Sequence, residues 1–320
     1  LSMIKRIIIA MVLIAQFSYS QEKIPFIDYA EIKEQISEAS SKGNYEKTLE
    51  LIDKINKNDS IYYPLLTSKS YYLLQLSKYE EAIEVANKGI NDNHKESKVF
   101  FYINKGVALT NLEKYDEAIE TYSKGIKMYP NNYLLHFNTG VVLESLGKLN
   151  QALSFYKKSI ILNPFNKKPH LQIGNIYYKQ ERLTQALMAF NMYLLLEPDA
   201  EGAFNTLKSL NNIVVSKNSN ERDIDVELED ADDSYEEIDL VLSSKIAMNE
   251  KYETGNPINI ALTKQNHAML AKLKDFKGED NFWSQKYLPL YIWISENNYF
   301  DNFIYTLSYS IENEEYKKII

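Results

Sequence analysis

Four histidines, at positions 94, 136, 170 and 267, are all the imidazole this chain of 320 residues has for proton transfer or metal ligation, and it contains no cysteine. His136 and His170 stand 34 residues apart, a spacing that invites reading them as a ligand pair. Tyr102 occupies the same place one interval earlier, which points instead to a packing position between helices. No nucleophile elbow, phosphate-binding loop or metal-binding helix motif occurs. Carboxylates are plentiful. Between Glu221 and Asp239 there are eleven, at 221, 223, 225, 227, 229, 230, 232, 233, 236, 237 and 239, against the single base Arg222. Such a run could bind calcium, yet it lacks the glycine turn of an EF-hand loop. It reads better as a solvated linker. A further alternative is an extended segment that docks, because Ile224, Val226 and Leu228 alternate with the acids. The residues therefore predict no catalytic set, no metal and no cofactor, with an enzyme site in residues 235–320 left as an alternative.

The interval of 34 recurs in other residue types. Gly106, Ala118, Tyr122 and Pro130 are followed by Gly140, Ala152, Tyr156 and Pro164, then by Gly174, Ala186, Phe190 and Pro198. A fixed period of this length marks stacked helical hairpins. Each glycine lies within a first helix, where the missing side chain lets a partner helix approach despite glycine's intrinsic helix cost. Each alanine does the same from the second helix, and twelve residues leave room for a turn between them. The turns read Leu112-Glu113-Lys114-Tyr115, Leu146-Gly147-Lys148-Leu149 and Gln180-Glu181-Arg182-Leu183. Four residues beyond the alanine an aromatic shares its face, and the proline stops the helix.

This pattern resembles the tetratricopeptide repeat, most closely at Gly174-Asn175-Ile176-Tyr177-Tyr178-Lys179-Gln180 followed by Ala186 and Phe190. Weaker copies precede it. Residues 63–98 carry Tyr79, Ala82, Ala86 and Gly89 but Ser70 in place of glycine, and residues 29–62 keep the turn Lys42-Gly43-Asn44-Tyr45 with Ile36 and Thr48 at the close-contact positions. The resemblance implies an all-α fold, a right-handed superhelical array of antiparallel hairpins, with five repeats at 29–62, 63–98, 99–132, 133–166 and 167–200. A capping helix over 201–216, an acidic linker over 217–234 and a small α-helical C-terminal domain over 235–320 complete the expected organisation. In that last region Trp283, Tyr287, Leu290, Tyr291 and Ile294, then Phe300, Phe303, Ile304 and Leu307, have helical spacing. The turn Asn298-Tyr299-Phe300-Asp301 echoes the repeat turns, without small residues where the helices should meet.

At the N-terminus Lys5 and Arg6 precede an apolar run from Ile7 to Phe17, and Ser18-Tyr19-Ser20 offers small residues for cleavage. This predicts a signal peptide over 1–20 with Gln21 as the mature start. Removing its two bases takes the net charge from −8 to −10. An acidic chain without a basic stripe is a poor nucleic-acid ligand. The expected location is exported and periplasmic, peripheral to the outer membrane through a partner, with no transmembrane span.

Members of the resembled family receive peptides or helices on the concave face built from first helices. Carried onto this chain, that groove comprises Phe100, Ile103, Asn104 and Val107, then Leu134, Phe137, Asn138 and Val141, then Lys168, Leu171, Gln172, Asn175 and Tyr178. Too few clustered lysine and amide donors are present to clamp a carboxylate. The sequence thus predicts a non-catalytic scaffold or adaptor for protein partners in a bacterial envelope complex. A periplasmic holder of unfolded clients is the alternative.

Overall fold

The computed structural model describes residues 29–56, 61–92, 98–199, 203, 205–207, 233–244, 249–276, 278–311 and 317. The expected signal peptide, His94, most of the expected capping helix and the acidic stretch up to Asp232 lie outside the described residues. Among these residues every regular element is helical, and the chain forms two compact units, Leu1–Glu113 and Lys114–Ile320.

The first unit contains α1 (Tyr29–Ser41), α2 (Tyr45–Asp53), α3 (Tyr62–Gln75), α4 (Tyr79–Asn91) and α5 (Lys98–Asn111). Its hairpins close through turns in which one residue has positive φ: Gly43 at +70° between α1 and α2, Ser77 at +57° between α3 and α4. Asn44 caps α2 by accepting from the Lys47 amide at 3.1 Å. Gly89 lets the next repeat approach, since a Cβ there would stand 2.3 Å from the Phe101 ring. Ser70 occupies a glycine position and is fully buried, yet satisfied: it donates to the Thr67 carbonyl at 2.8 Å and accepts from Asn104 Nδ2 at 2.7 Å. Burial without these bonds would cost about 1–3 kcal/mol.

The second unit holds α6 (Tyr115–Met128), the hairpin α7 (Tyr133–Ser145) with α8 (Leu149–Leu162), and the hairpin α9 (Lys167–Lys179) with α10 (Leu183–Leu196). A 3-10 turn (Asp233–Tyr235) then leads into α11 (Glu236–Ser243), α12 (Ala261–Leu273), α13 (Phe282–Lys286), α14 (Leu288–Glu296) and α15 (Phe300–Leu307). A Cβ on Gly140 would meet the Tyr156 ring at 2.6 Å, and one on Gly174 would meet Phe190 at 2.7 Å. Ala152 and Ala186 are buried on the facing helices.

The α14–α15 turn repeats three backbone hydrogen bonds of the α7–α8 turn. Leu146, Gly147 and Lys148 donate their amides to the carbonyls of Val142, Glu144 and Leu143, as Asn297, Asn298 and Tyr299 do to Trp293, Ser295 and Ile294. Asn298 takes positive φ (+56°) where Gly147 has +72°. Tyr291 and Phe303 fall where Gly140 and Ala152 sit, and their rings meet edge-on at 6.0 Å. The local turn is therefore that of a repeat, while the contact between its helices is aromatic.

The helices of residues 235–307 do not close a core of their own. They share one hydrophobic cluster with α7–α10, running from Phe137 through Tyr177, Phe190, Trp283 and Tyr291 to Leu307. The reason lies in α10, LTQALMAFNMYLLL, of which ten residues are buried. A helix apolar all round must be covered on every side. Tyr291 donates to the Met188 carbonyl at 2.8 Å, and Asn191 Nδ2 to Asn266 Oδ1 at 2.6 Å. Thr184, in the first turn of α10, donates both its amide (2.7 Å) and its hydroxyl to Asp239, so the end of the acidic stretch caps this helix from outside. Arg182 Nη2 pairs with Asp233 at 2.8 Å beside it.

Candidate functional site

The inner faces of the first helices divide into two kinds of position. In the first unit, α5 exposes Phe100 and half-buries Val107, whereas Ile103 and Asn104 are buried. Asn104 is held inside by Ser70 and is no free groove donor. In the second unit, Leu134, Asn138 and Val141 on α7 are half-buried and Phe137 is buried against the Tyr156 ring at 5.7 Å. On α9, Lys168 is exposed, and Leu171, Gln172, Asn175 and Tyr178 are half-buried. Asn175 Nδ2 donates to Gln172 Oε1 at 3.3 Å, so the two amides orient one another. Val141, Leu171 and Tyr178 also pack on the core. The reachable second-unit set is therefore Leu134, Asn138 and Val141 with Lys168, Leu171, Gln172, Asn175 and Tyr178. It offers aliphatic contact, amide hydrogen bonding and one exposed ammonium group.

Behind this face Tyr156 donates its hydroxyl to Glu144 Oε2 at 2.5 Å. Burial, then Glu144, pushes the phenol up, so the bond persists as O–H to carboxylate. The second helix thereby fixes the end of α7 at the rim of the face.

The described histidines, His136, His170 and His267, each pack against neighbouring groups. His136 Nε2 and His170 Nε2 lie 2.8 and 3.0 Å from the Pro130 and Pro164 carbonyls, and since a carbonyl only accepts, each carries its proton on Nε2. His170 Nδ1 consequently accepts from the Tyr287 hydroxyl at 2.6 Å. Desolvation holds His170 down to about 4, opposed by the Pro164 bond, so it is neutral near pH 7. His136 packs instead on Phe155 at 6.0 Å. One period on, Phe155 becomes Ala189, and Tyr287 fills the space beside His170. His267 accepts from or donates to the Tyr252 hydroxyl at 2.7 Å and lies against Phe300. Among the described residues no group of three or more His, Cys, Asp or Glu side chains is placed to hold a metal ion.

A second cluster escaped sequence reasoning. Lys157, buried on α8, lies 5.6 Å from the Tyr177 ring and 5.3 Å from Phe282, and donates to the Tyr177 hydroxyl at 3.2 Å. Trp283 Nε1 donates to the same hydroxyl at 3.3 Å. Tyr177 of α9 and Phe282 of α13 enclose Lys157, while its neighbour Lys158 stays exposed.

Tetratricopeptide repeat family models match residues 99–132 and 121–154. No curated protein is significantly similar to the chain in sequence. Among solved structures, a MamA RS-1 double mutant shares 16% identity over 54% of this chain and 96% of its own, with a TM-score of 0.43. A MamA fragment from Desulfovibrio magneticus RS-1 shares 17% over 54% and 96%, also at 0.43, and a crystal structure of MamA shares 19% over 54% and 97% at 0.42. Recurring hairpins with glycine-to-ring contacts and positive-φ turns agree with these family matches: the chain carries tetratricopeptide repeats, matched over residues 99–154.

Proposed function

We propose that the chain is an exported, non-catalytic adaptor that holds protein partners within a bacterial envelope complex. Repeats of this kind imply protein partners, and the half-buried set on α7 and α9 supports that reading. Aliphatic side chains beside mutually oriented amides, on helices locked by Gly140 and Gly174, suit a rigid face for an amphipathic segment. Export and the envelope setting rest on the charged and apolar N-terminal run. No helix among the described residues is long and apolar enough to cross a membrane.

The test is crosslinking and affinity recovery of the full chain from cells, with Val141→Glu and Gln172→Ala as variants. Phe137 is unsuitable because it is buried, and its substitution reports on folding. Partner recovery by the wild type and at least about tenfold less by the double variant is expected, as for loss of a central contact. Recovery of the wild-type chain alone, or equal recovery by the variant, overturns the reading. An intact mass beginning at Gln21 in an envelope fraction is expected; a cytoplasmic chain retaining residues 1–20 overturns the location.

A further inference from the structure

Residues 123–134 and 157–168, which span the two inter-hairpin turns of the second unit, contain six lysines and no carboxylate, in a chain with 44 acidic residues. The corresponding segment one period later, residues 191–202, contains three carboxylates and no lysine. The positive charge is thus local and set against the chain's overall sign. Lys157 is enclosed, Lys124 pairs with Glu120 and Lys167 pairs with Glu197. Lys127, Lys158 and Lys168 remain exposed.

The same two segments carry exposed apolar side chains. Phe165 is 80% exposed, Met128 53% and Ile161 50%. The tip is firmly built. The Phe165 amide donates to Asn163 Oδ1 at 3.1 Å, the Asn166 amide to the Asn163 carbonyl at 3.2 Å, and His170 holds the Pro164 carbonyl. Asn166 then caps α9. A phenyl ring displayed on a fixed turn loses little further conformational freedom when it is buried.

We propose that this edge of the second unit docks on an anionic phospholipid surface, with Phe165, Ile161 and Met128 entering the headgroup boundary and Lys127, Lys158 and Lys168 lying against the lipid phosphates. A bilayer interface takes both features at once, the ring in the headgroup boundary and the ammonium groups against phosphate, and a polyglutamate control separates this surface from an acidic protein partner. Because the whole chain is net negative, an anionic membrane repels it except at such an edge.

The test uses the chain from Gln21 onward, so that the N-terminal apolar run cannot itself insert, and sediments it with vesicles of phosphatidylcholine alone or mixed with phosphatidylglycerol. Binding only to the mixed vesicles, weakening with salt, is expected. One lysine near such a surface strengthens binding about fivefold, so Lys158→Glu with Lys168→Glu should weaken it at least about 25-fold. Phe165→Ser should weaken it about tenfold. Phe165→Trp in a Trp293→Phe background should shift its emission to the blue on the mixed vesicles. All these positions are exposed, so circular dichroism should stay unchanged. Equal binding to both lipids, unchanged binding by either variant, or binding to polyglutamate but not to vesicles overturns the proposal.

Discussion

His170 on α9 and Asp239 on α11, which holds Thr184 of α10, are buried titratable groups that act in opposite directions. Burial lowers His170 from 6.5 to about 4, so between those values the unfolded chain holds the extra proton and acid destabilises the fold. Burial raises Asp239 from 3.8 to about 6, against the Thr184 bonds and Arg182, so here the folded chain holds the extra proton and acid stabilises it. Each contribution is on the order of 3 kcal/mol, and in the wild type they largely offset. Urea titrations over this range should show the difference. Asp239→Asn should lose stability more steeply than wild type as pH falls, and His170→Gln should lose less or gain. Parallel pH profiles for all three proteins would refute these assignments. The sequence marked His170 as packing, by its correspondence with Tyr102; its partner Tyr287, 117 residues away, left no local signal.

At the scale of elements, glycine-to-ring contact sets how closely the paired helices of α7–α8 and α9–α10 approach. Alanine gains about 1 kcal/mol of helix propensity over glycine in an isolated helix. At Gly140 and Gly174 the added methyl would collide with buried rings, and overpacking of this kind costs about 1–3 kcal/mol. Gly140→Ala and Gly174→Ala should therefore lower the thermal midpoint by several degrees, whereas Gly147→Ala, in open space but at positive φ, should lose through backbone strain alone. Unchanged or raised midpoints at Gly140 and Gly174 would contradict the close approach. These contacts were legible because a glycine that recurs inside a helix at a fixed period, against its own helix cost, marks a place where a neighbour comes close. The α14–α15 hairpin was only half legible: Asn298 announced the turn, while Tyr291 and Phe303 hid the pairing because aromatic packing leaves no spacing signature.

On the scale of the second unit, α10 ties the repeats to the C-terminal helices. Its buried Met188 and Asn191 have partners on α14 and α12 that a repeat array ending at α10 would lack. A chain ending after Leu207 should leave that apolar surface in water. Dye binding and a shallow, non-cooperative melt are expected for it. A sharp melt without dye binding would show that the repeats suffice alone.

The sequence by itself determined the helical hairpins, their period and turns, and with them a repeat array that implies protein partners. Each of these follows from local spacing, which one helix and its immediate neighbour enforce. Tertiary structure decided which groove residues stay reachable, that Asn104 and Lys157 turn inward, and that Phe165 stays exposed. Burial depends on chain segments a hundred residues apart meeting, as α9 and α13 do at Tyr177 and Trp283, and no short-range pattern records such a meeting.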